Sequence, residues 1–247
     1  IIEGEKMSKK KIIIISIVLV LTITVIFFLI NIFKKVSFNN YIENTNKYFK
    51  EINYNTNINL YINSSNSKSE LQYSLDKTKS VVHEEYYQYV DDKLQNHINN
   101  YYVTKSSGIK LYTEANGTYN GENIQKINTI FDINYSDLKN KASNVKYLGK
   151  ENIDNKKYLK YSVKMKVYDI YNIIYKENIL TSKDNNNSST LYIYIDKDLG
   201  LVYKIDSTID NLNNTSYDAN KLEYKIEIIN TKLNNNKAIN LPFNENN

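Results

Sequence analysis

From Ile12 to Phe33 the chain is apolar and uncharged, with only Ser16, Thr22, Thr24 and Asn31 as polar members. Lys9, Lys10 and Lys11 precede the run, and Lys34 and Lys35 follow it. As a helix rising 1.5 Å per residue it spans about 33 Å, enough for a hydrocarbon core of about 30 Å. Its hydroxyls can bond back to their own helix. The apolar core of a cleaved signal peptide is shorter, about 7–15 residues, and ends on small residues. This run ends on Phe28-Leu29-Ile30-Asn31-Ile32-Phe33. The pattern predicts a stub over 1–11, an uncleaved transmembrane signal anchor over 12–33 and a large domain over 34–247. Lysines favour the cytoplasm, and Lys6, Lys9, Lys10 and Lys11 outnumber Lys34 and Lys35. The expectation is a single-pass protein of the cell membrane, amino terminus inside and carboxy-terminal domain outside.

Beyond the run, Phe38, Tyr41, Ile42, Thr45, Tyr48, Phe49 and Ile52 recur at steps of three and four, one face of a helix that Ser37 can cap. The period then changes to two. Strands are predicted over Asn57–Asn63, Glu70–Leu75 and Ser80–Val90, with a tight connection at Lys77-Thr78, then over His97–Lys105 and Ile109–Thr113 around Ser106-Ser107-Gly108. Ile124, Ile127, Ile130 and Phe131 predict a helix, and Ser136–Ala142 a second. The clearest strand is Tyr158–Val167: Leu159, Tyr161, Val163, Met165 and Val167 alternate with Lys160, Ser162, Lys164 and Lys166. One wet face implies antiparallel pairing. Ile170, Ile173 and Ile174 start a short helix, and Asp184–Thr190 is a loop. Leu191–Ile195 and Leu201–Ile209 form a hairpin through Gly200. Asn211–Asn220 is a loop, Leu222–Ile229 a strand, and Ile239-Asn240-Leu241-Pro242 closes the fold. The fold class is α+β, with one antiparallel sheet.

Composition narrows the picture. The net charge of +5 in 247 residues comes mostly from lysines flanking the apolar run, so the outer domain is near neutral and lacks the basic face of a nucleic-acid binder. There is no cysteine, hence no disulfide and no lipidated Cys, and six Gly and one Pro are too few for every turn. Asn and Asp must take left-handed turn positions. Glu3-Gly4-Glu5-Lys6 before Met7, back-translated with A-rich codons, resembles a ribosome-binding site, which places the expected start at Met7 in an AT-rich bacterial genome.

Candidate chemistry is sparse. His83 and His97 are the histidines; His83 precedes Glu84-Glu85, but on a strand neighbours face opposite ways, so a solvated histidine is expected and no metal site. No nucleophile elbow and no Gly-rich phosphate loop is present, so neither an enzyme nor a cofactor is expected. Asp91-Asp92 and Asp196/Asp198 read as turn carboxylates. Tyr86, Tyr87, Tyr89, Tyr101, Tyr102, Tyr192 and Tyr194 suit a ligand mouth or partner face, and equally are good strand formers.

The order of elements resembles the LolA/LppX-like lipoprotein-carrier superfamily, in particular its Gram-positive, membrane-anchored branch, from Phe38 to Pro242. The resemblance lies in the opening helix with Tyr48-Phe49, in the approach from Tyr147 through Gly149, Glu151 and Asn155 to Tyr158, in the Tyr194–Val202 hairpin and in Ile239–Pro242. Asn155 stands where the family has Gly, and the lipid-attachment Cys is replaced by the membrane helix. The resemblance implies a curved antiparallel half-barrel with helices across its concave face. Its hollow would take a lipid or other apolar ligand lined by Leu159, Tyr161, Val163, Met165, Ile193 and Ile195. The alternative is an envelope interaction or sensing module with a filled half-barrel and a protein partner.

Overall fold

The computed structural model describes residues 9–51, 54–63, 67–131, 133–174, 188–210, 223–231 and 238–243. The expected start at Met7, the loop over Asn211–Asn220 and the first residue of the strand Leu222–Ile229 lie outside these residues.

The helix α1 (Lys9–Glu51) is one continuous element of 43 residues, about 64 Å long. The expected cap at Ser37 is not formed; its hydroxyl donates to Phe33 O at 3.0 Å inside the helix. Nothing between Lys35 and Phe38 breaks a helix, so the two periodic stretches fuse. Thr22 and Thr24 donate back to Val18 O and Val20 O, both at 2.8 Å. Among the described residues no helix is long and apolar enough to cross a membrane; the side chains of residues 12–15, 27, 31 and 32 lie outside that description. The described apolar side chains of the run, from Ile17 to Phe33, are 41% to 69% exposed. Those side chains are therefore not covered by any other described part of the chain.

The remainder is an unclosed antiparallel sheet of eleven strands: β1 (Tyr54–Asn63), β2 (Lys68–Lys77), β3 (Val81–Val90), β4 (Lys93–Lys105), β5 (Gly108–Ala115), β6 (Thr118–Ile124), β7 (Ser143–Ile153), β8 (Lys156–Lys166), β9 (Ser188–Asp196), β10 (Leu201–Asp210) and β11 (Glu223–Thr231). Their order is β6-β5-β4-β3-β2-β1-β11-β10-β9-β8-β7. The chain meanders outward from β1 to β6, crosses to the far edge through α2 (Tyr135–Lys141), and meanders back from β7 to β11, which pairs with β1. A short helix α3 (Val167–Ile174) follows β8.

Two-residue turns set the registers. Asp91-Asp92, Asn116-Gly117 and Asp154-Asn155 all have positive φ, from 47° to 78°, the twist that suits a hairpin. Asn155, at φ 65°, takes the left-handed position expected of it. At the β9–β10 hairpin Gly200 has φ 68°, and Asp196 Oδ1 accepts from Asp198 N and Leu199 N at 3.0 and 3.1 Å.

Three expectations are corrected. Ile124 to Phe131 is not a helix: Ile124 ends β6, and the chain beyond it is irregular. Its backbone finds partners on the sheet, with Ile130 N donating to Glu84 and Asn128 O accepting from Tyr102, so it needs no helical bonds. β6 itself is absent from the expected strands because its seven residues carry few apolar side chains, although Asn116-Gly117 before it is a hairpin signal. Ser188–Thr190 is strand, since β9 begins at Ser188.

Helices lie on one face of the sheet. Phe38, Ile42, Thr45 and Phe49 of α1 are buried against it. Phe38 meets Tyr161 on β8, with ring centroids 5.3 Å apart; Phe49 meets Tyr54 on β1 at 4.3 Å; and Thr45 Oγ1 accepts from Val202 N at 2.9 Å. Across the opposite, open face of β3–β6, Phe243 packs its ring on Tyr101, Tyr112 and Tyr119. The segment expected to close the fold thus forms a second, smaller cluster there.

Candidate ligand cavity

Helix α1 ends at Glu51 before crossing the whole sheet, and α2 does not begin until Tyr135. Beside the junction of the two helices, over β1 and β2, lies a cavity of about 670 Å³. Its floor is formed by alternate residues of β1 and β2, among them Tyr54, Ile58, Tyr73 and Leu75, with Phe49 and Phe131 beside them. Asn46, Lys50, Asn134, Ser136, Asp137 and Lys141 form the rim. The volume lies within the roughly 300–1,000 Å³ typical of small-molecule sites.

Polar contacts hold the walls in place. α2 is capped by Asn134, whose Oδ1 accepts from Asp137 N at 3.0 Å. It is tied to α1 by Asn46 Nδ2 donating to Ser136 Oγ at 2.9 Å and by Lys139–Glu43 at 2.8 Å. Lys141 pairs with Asp169 of α3 at 3.2 Å and Asp137 at 3.5 Å. Burial alone would lower its pKa, but the two carboxylates outweigh burial and raise it. Behind the floor Asn230 is 1% exposed. It accepts from Thr56 Oγ1 at 2.8 Å and donates to Tyr135 OH at 2.7 Å and Val202 O at 3.0 Å. This buried amide joins β1, α2 and β10.

The strap that carries Phe131 is fixed by Glu84, whose side chain points to the helix-bearing face and is 1% exposed as a residue. Its carboxylate accepts from Tyr102 OH at 2.6 Å, Asn100 Nδ2 at 3.0 Å, Ile130 N at 3.0 Å and Tyr73 OH at 3.2 Å. Burial and, after it, the carboxylate push the phenols of Tyr73 and Tyr102 well above their ordinary value, so both stay protonated donors. Tyr73 then meets the Phe131 ring edge-on at 4.8 Å. In sequence Glu84 reads only as half of an exposed Glu-Glu pair. The one hint of its burial is that it shares a face with Val82.

The six residues expected to line a hollow lie side by side on the helix-bearing face: Leu159 opposite Ile195, Tyr161 opposite Ile193, with Val163 and Met165 further along β8. Five are buried and Leu159 half-buried. They pack under Phe38 and into the main core, and none borders the cavity. Burial pushes the Tyr161 phenol up to about 12. Nearby, a second void of about 10 Å³ opens among Leu138, Ile170, Leu191 and Ile226, room for about one water. No local signal marks the larger cavity, because its residues alternate like any core strand.

Both histidines face away from it. His83 stacks on Tyr101 at 4.1 Å and bonds Asn99 at 2.9 Å; His97 stacks on Tyr87 at 4.4 Å, within 3.3 Å of Glu85. Among the described residues no group of acids and histidines could hold a metal ion.

No family model and no curated protein matches this chain. Among solved structures the chain is similar to LprF from Mycobacterium bovis, at 12% identity and a TM-score of 0.47 over 83% of this chain and 97% of that one. It is similar also to lipoprotein LppX from Mycobacterium tuberculosis, at 8% identity and a TM-score of 0.45 over 82% and 97%. A DUF1329 family protein from Desulfovibrio piger follows at 8% identity and a TM-score of 0.27, over 78% and 90%. LppX, whose superfamily the sequence resembles, is thus among the similar structures, at a distance that transfers no residue role.

Proposed function

We propose that this chain is a membrane-tethered, extracytoplasmic binding module for a lipid or similar amphiphile, held in the cavity between α1, β1, β2 and α2. The observation that carries the reading is a cavity of about 670 Å³ with an aromatic and aliphatic floor and a polar rim. Such a lining suits a molecule with an apolar body and a polar end. Leu159, Tyr161, Val163, Met165, Ile193 and Ile195 serve in this reading as packed core away from the ligand. The filled space under Phe38 supports an interaction module without small ligand for that half of the sheet. Binding is favoured because an open space remains over β1 and β2 in the other half.

The tether is the apolar run of α1, uncleaved and spanning the bilayer, amino terminus inside. Its support is the run's length and the exposure of its described side chains. From Phe33 to Phe49 the helix continues without a break, about 24 Å at 1.5 Å per residue. The cavity would therefore stand off the membrane at a set distance and not swing on a loose linker. Protease added to wall-free cells should remove the large domain and spare the amino-terminal stub; the reverse pattern would refute the orientation.

Binding is tested with the full chain in nanodiscs and a photoactivatable palmitate, mapped by mass spectrometry. Peptides carrying Tyr54, Tyr73 and Phe131 should be labelled, and unlabelled fatty acids should compete better as they lengthen. Each methylene moved from water into the cavity contributes about 0.8 kcal/mol at most, so at equal free aqueous concentration four more should strengthen competition by up to about 200-fold. Labelling confined to residues 12–33 would refute the cavity as a lipid site.

A further inference from the structure

The rim of the cavity carries charge that no described acid balances. Lys141 is matched by Asp137 and Asp169. Lys50, exposed in the last turn of α1, and Lys77, half-buried at the end of β2, border the same cavity and have no acidic partner among the described residues. Lys77 Nζ donates to Phe49 O at 3.4 Å and lies 5.6 Å from the centroid of the Tyr54 ring. A carbonyl and a ring face leave an ammonium with donors to spare. The contact with Phe49 O also offsets the partial negative charge of the α1 carboxyl end, which would otherwise repel an anion. The floor begins beside these two lysines, with Phe49, Tyr54 and Leu75, and continues to Tyr73 and Phe131.

Resting on the binding reading above, we infer that the cavity selects amphiphiles with one acyl chain and an anionic head, the head held between Lys50 and Lys77 and the chain laid against Phe49, Tyr54 and Leu75, the floor residues that keep 7% to 8% exposure. A volume of about 670 Å³ suits one chain better than a two-chain lipid. A neutral head would gain nothing from the lysines. A carboxylate or phosphate would gain charge-assisted hydrogen bonds from both.

The test uses the full chain in phosphatidylcholine nanodiscs at pH 8, with photoactivatable palmitate as probe and palmitate, hexadecyl phosphate or hexadecanol as competitor. Wild type is compared with the double variant Lys50→Gln/Lys77→Gln, so that partition of each competitor into the bilayer cancels. Both anions should compete about tenfold less well in the variant, the worth of one or two charge-assisted hydrogen bonds. Hexadecanol should stay within twofold, and Lys50→Arg/Lys77→Arg should retain the wild-type values. Loss for one anion alone would identify the head, carboxylate or phosphate, and still support the inference. Equal weakening of acid and alcohol, or no change for any competitor, would overturn it while leaving the cavity a lipid site. Absence of cavity labelling in wild type would overturn the binding reading itself.

Discussion

The carboxylate of Glu84 offers the sharpest test of how the cavity floor is built. In Glu84→Leu, Tyr73 OH, Asn100 Nδ2 and Ile130 N lose their acceptor, whereas Tyr102 OH still has Asn128 O at 3.0 Å. A buried donor left without a partner costs about 1–3 kcal/mol. Three such donors, partly relieved by water entering from the cavity, give an expected loss of about 3–6 kcal/mol, a large part of the roughly 5–15 kcal/mol of a typical domain. Glu84→Gln keeps one acceptor oxygen and turns the other into a donor facing donors, so about half that loss is expected. Urea unfolding of the full chain in mild detergent, followed by tyrosine near-ultraviolet circular dichroism, measures both. Hydrogen exchange at the Ile130 amide should show protection in wild type that the Leu variant loses. A Glu84→Leu protein within about 1 kcal/mol of wild type, with Ile130 still protected, would mean that the strap is held by apolar packing alone and that the carboxylate is incidental.

Two further outcomes follow from the same geometry. Met165 is 1% exposed while Lys164 faces outward, so Met165→Lys should cost several kcal/mol and Lys164→Met no more than about 0.5 kcal/mol in the same urea assay; equal effects would refute the facing of β8. Glu227 bonds Lys204 at 2.7 Å on the open face, which holds its pKa below the ordinary 4.5 against the opposing effect of burial. Its contribution is complete above pH 4.5 and is lost as pH falls through the lowered folded value, because the unfolded chain takes up the proton first. Glu227→Gln should therefore flatten the acid limb of a stability–pH curve below about pH 4.5 and leave the slope near neutrality unchanged; an unaltered acid limb would refute the pairing.

Much of the sheet is legible in the chain. β8 shows its two faces because each lysine between the apolar residues must reach water. The Asp154-Asn155 and Asp196–Gly200 turns name themselves because few residue types accept a positive φ. The pattern misleads where a local spacing has two structural solutions. Ile124, Ile127, Ile130 and Phe131 have helical spacing, yet the segment is an irregular strap, since Glu84, 46 residues before Ile130, takes that residue's amide. The same long-range contact hides the role of Glu84, which no neighbouring residue announces.

What the sequence by itself determined is local: the apolar run of α1, the amphipathic stretch that follows it, the strand faces and the turn positions. Each depends on the chemistry of adjacent residues and on a period of two or 3.6. Only the tertiary structure decided that β11 closes onto β1, that the strap crosses the sheet to reach β7, and that α1 and α2, packed on each other, leave part of β1 and β2 uncovered. The cavity is the volume left by those three outcomes. Its floor residues carry the same alternation as the filled core beside them, so no pattern along the chain could distinguish hollow from packed.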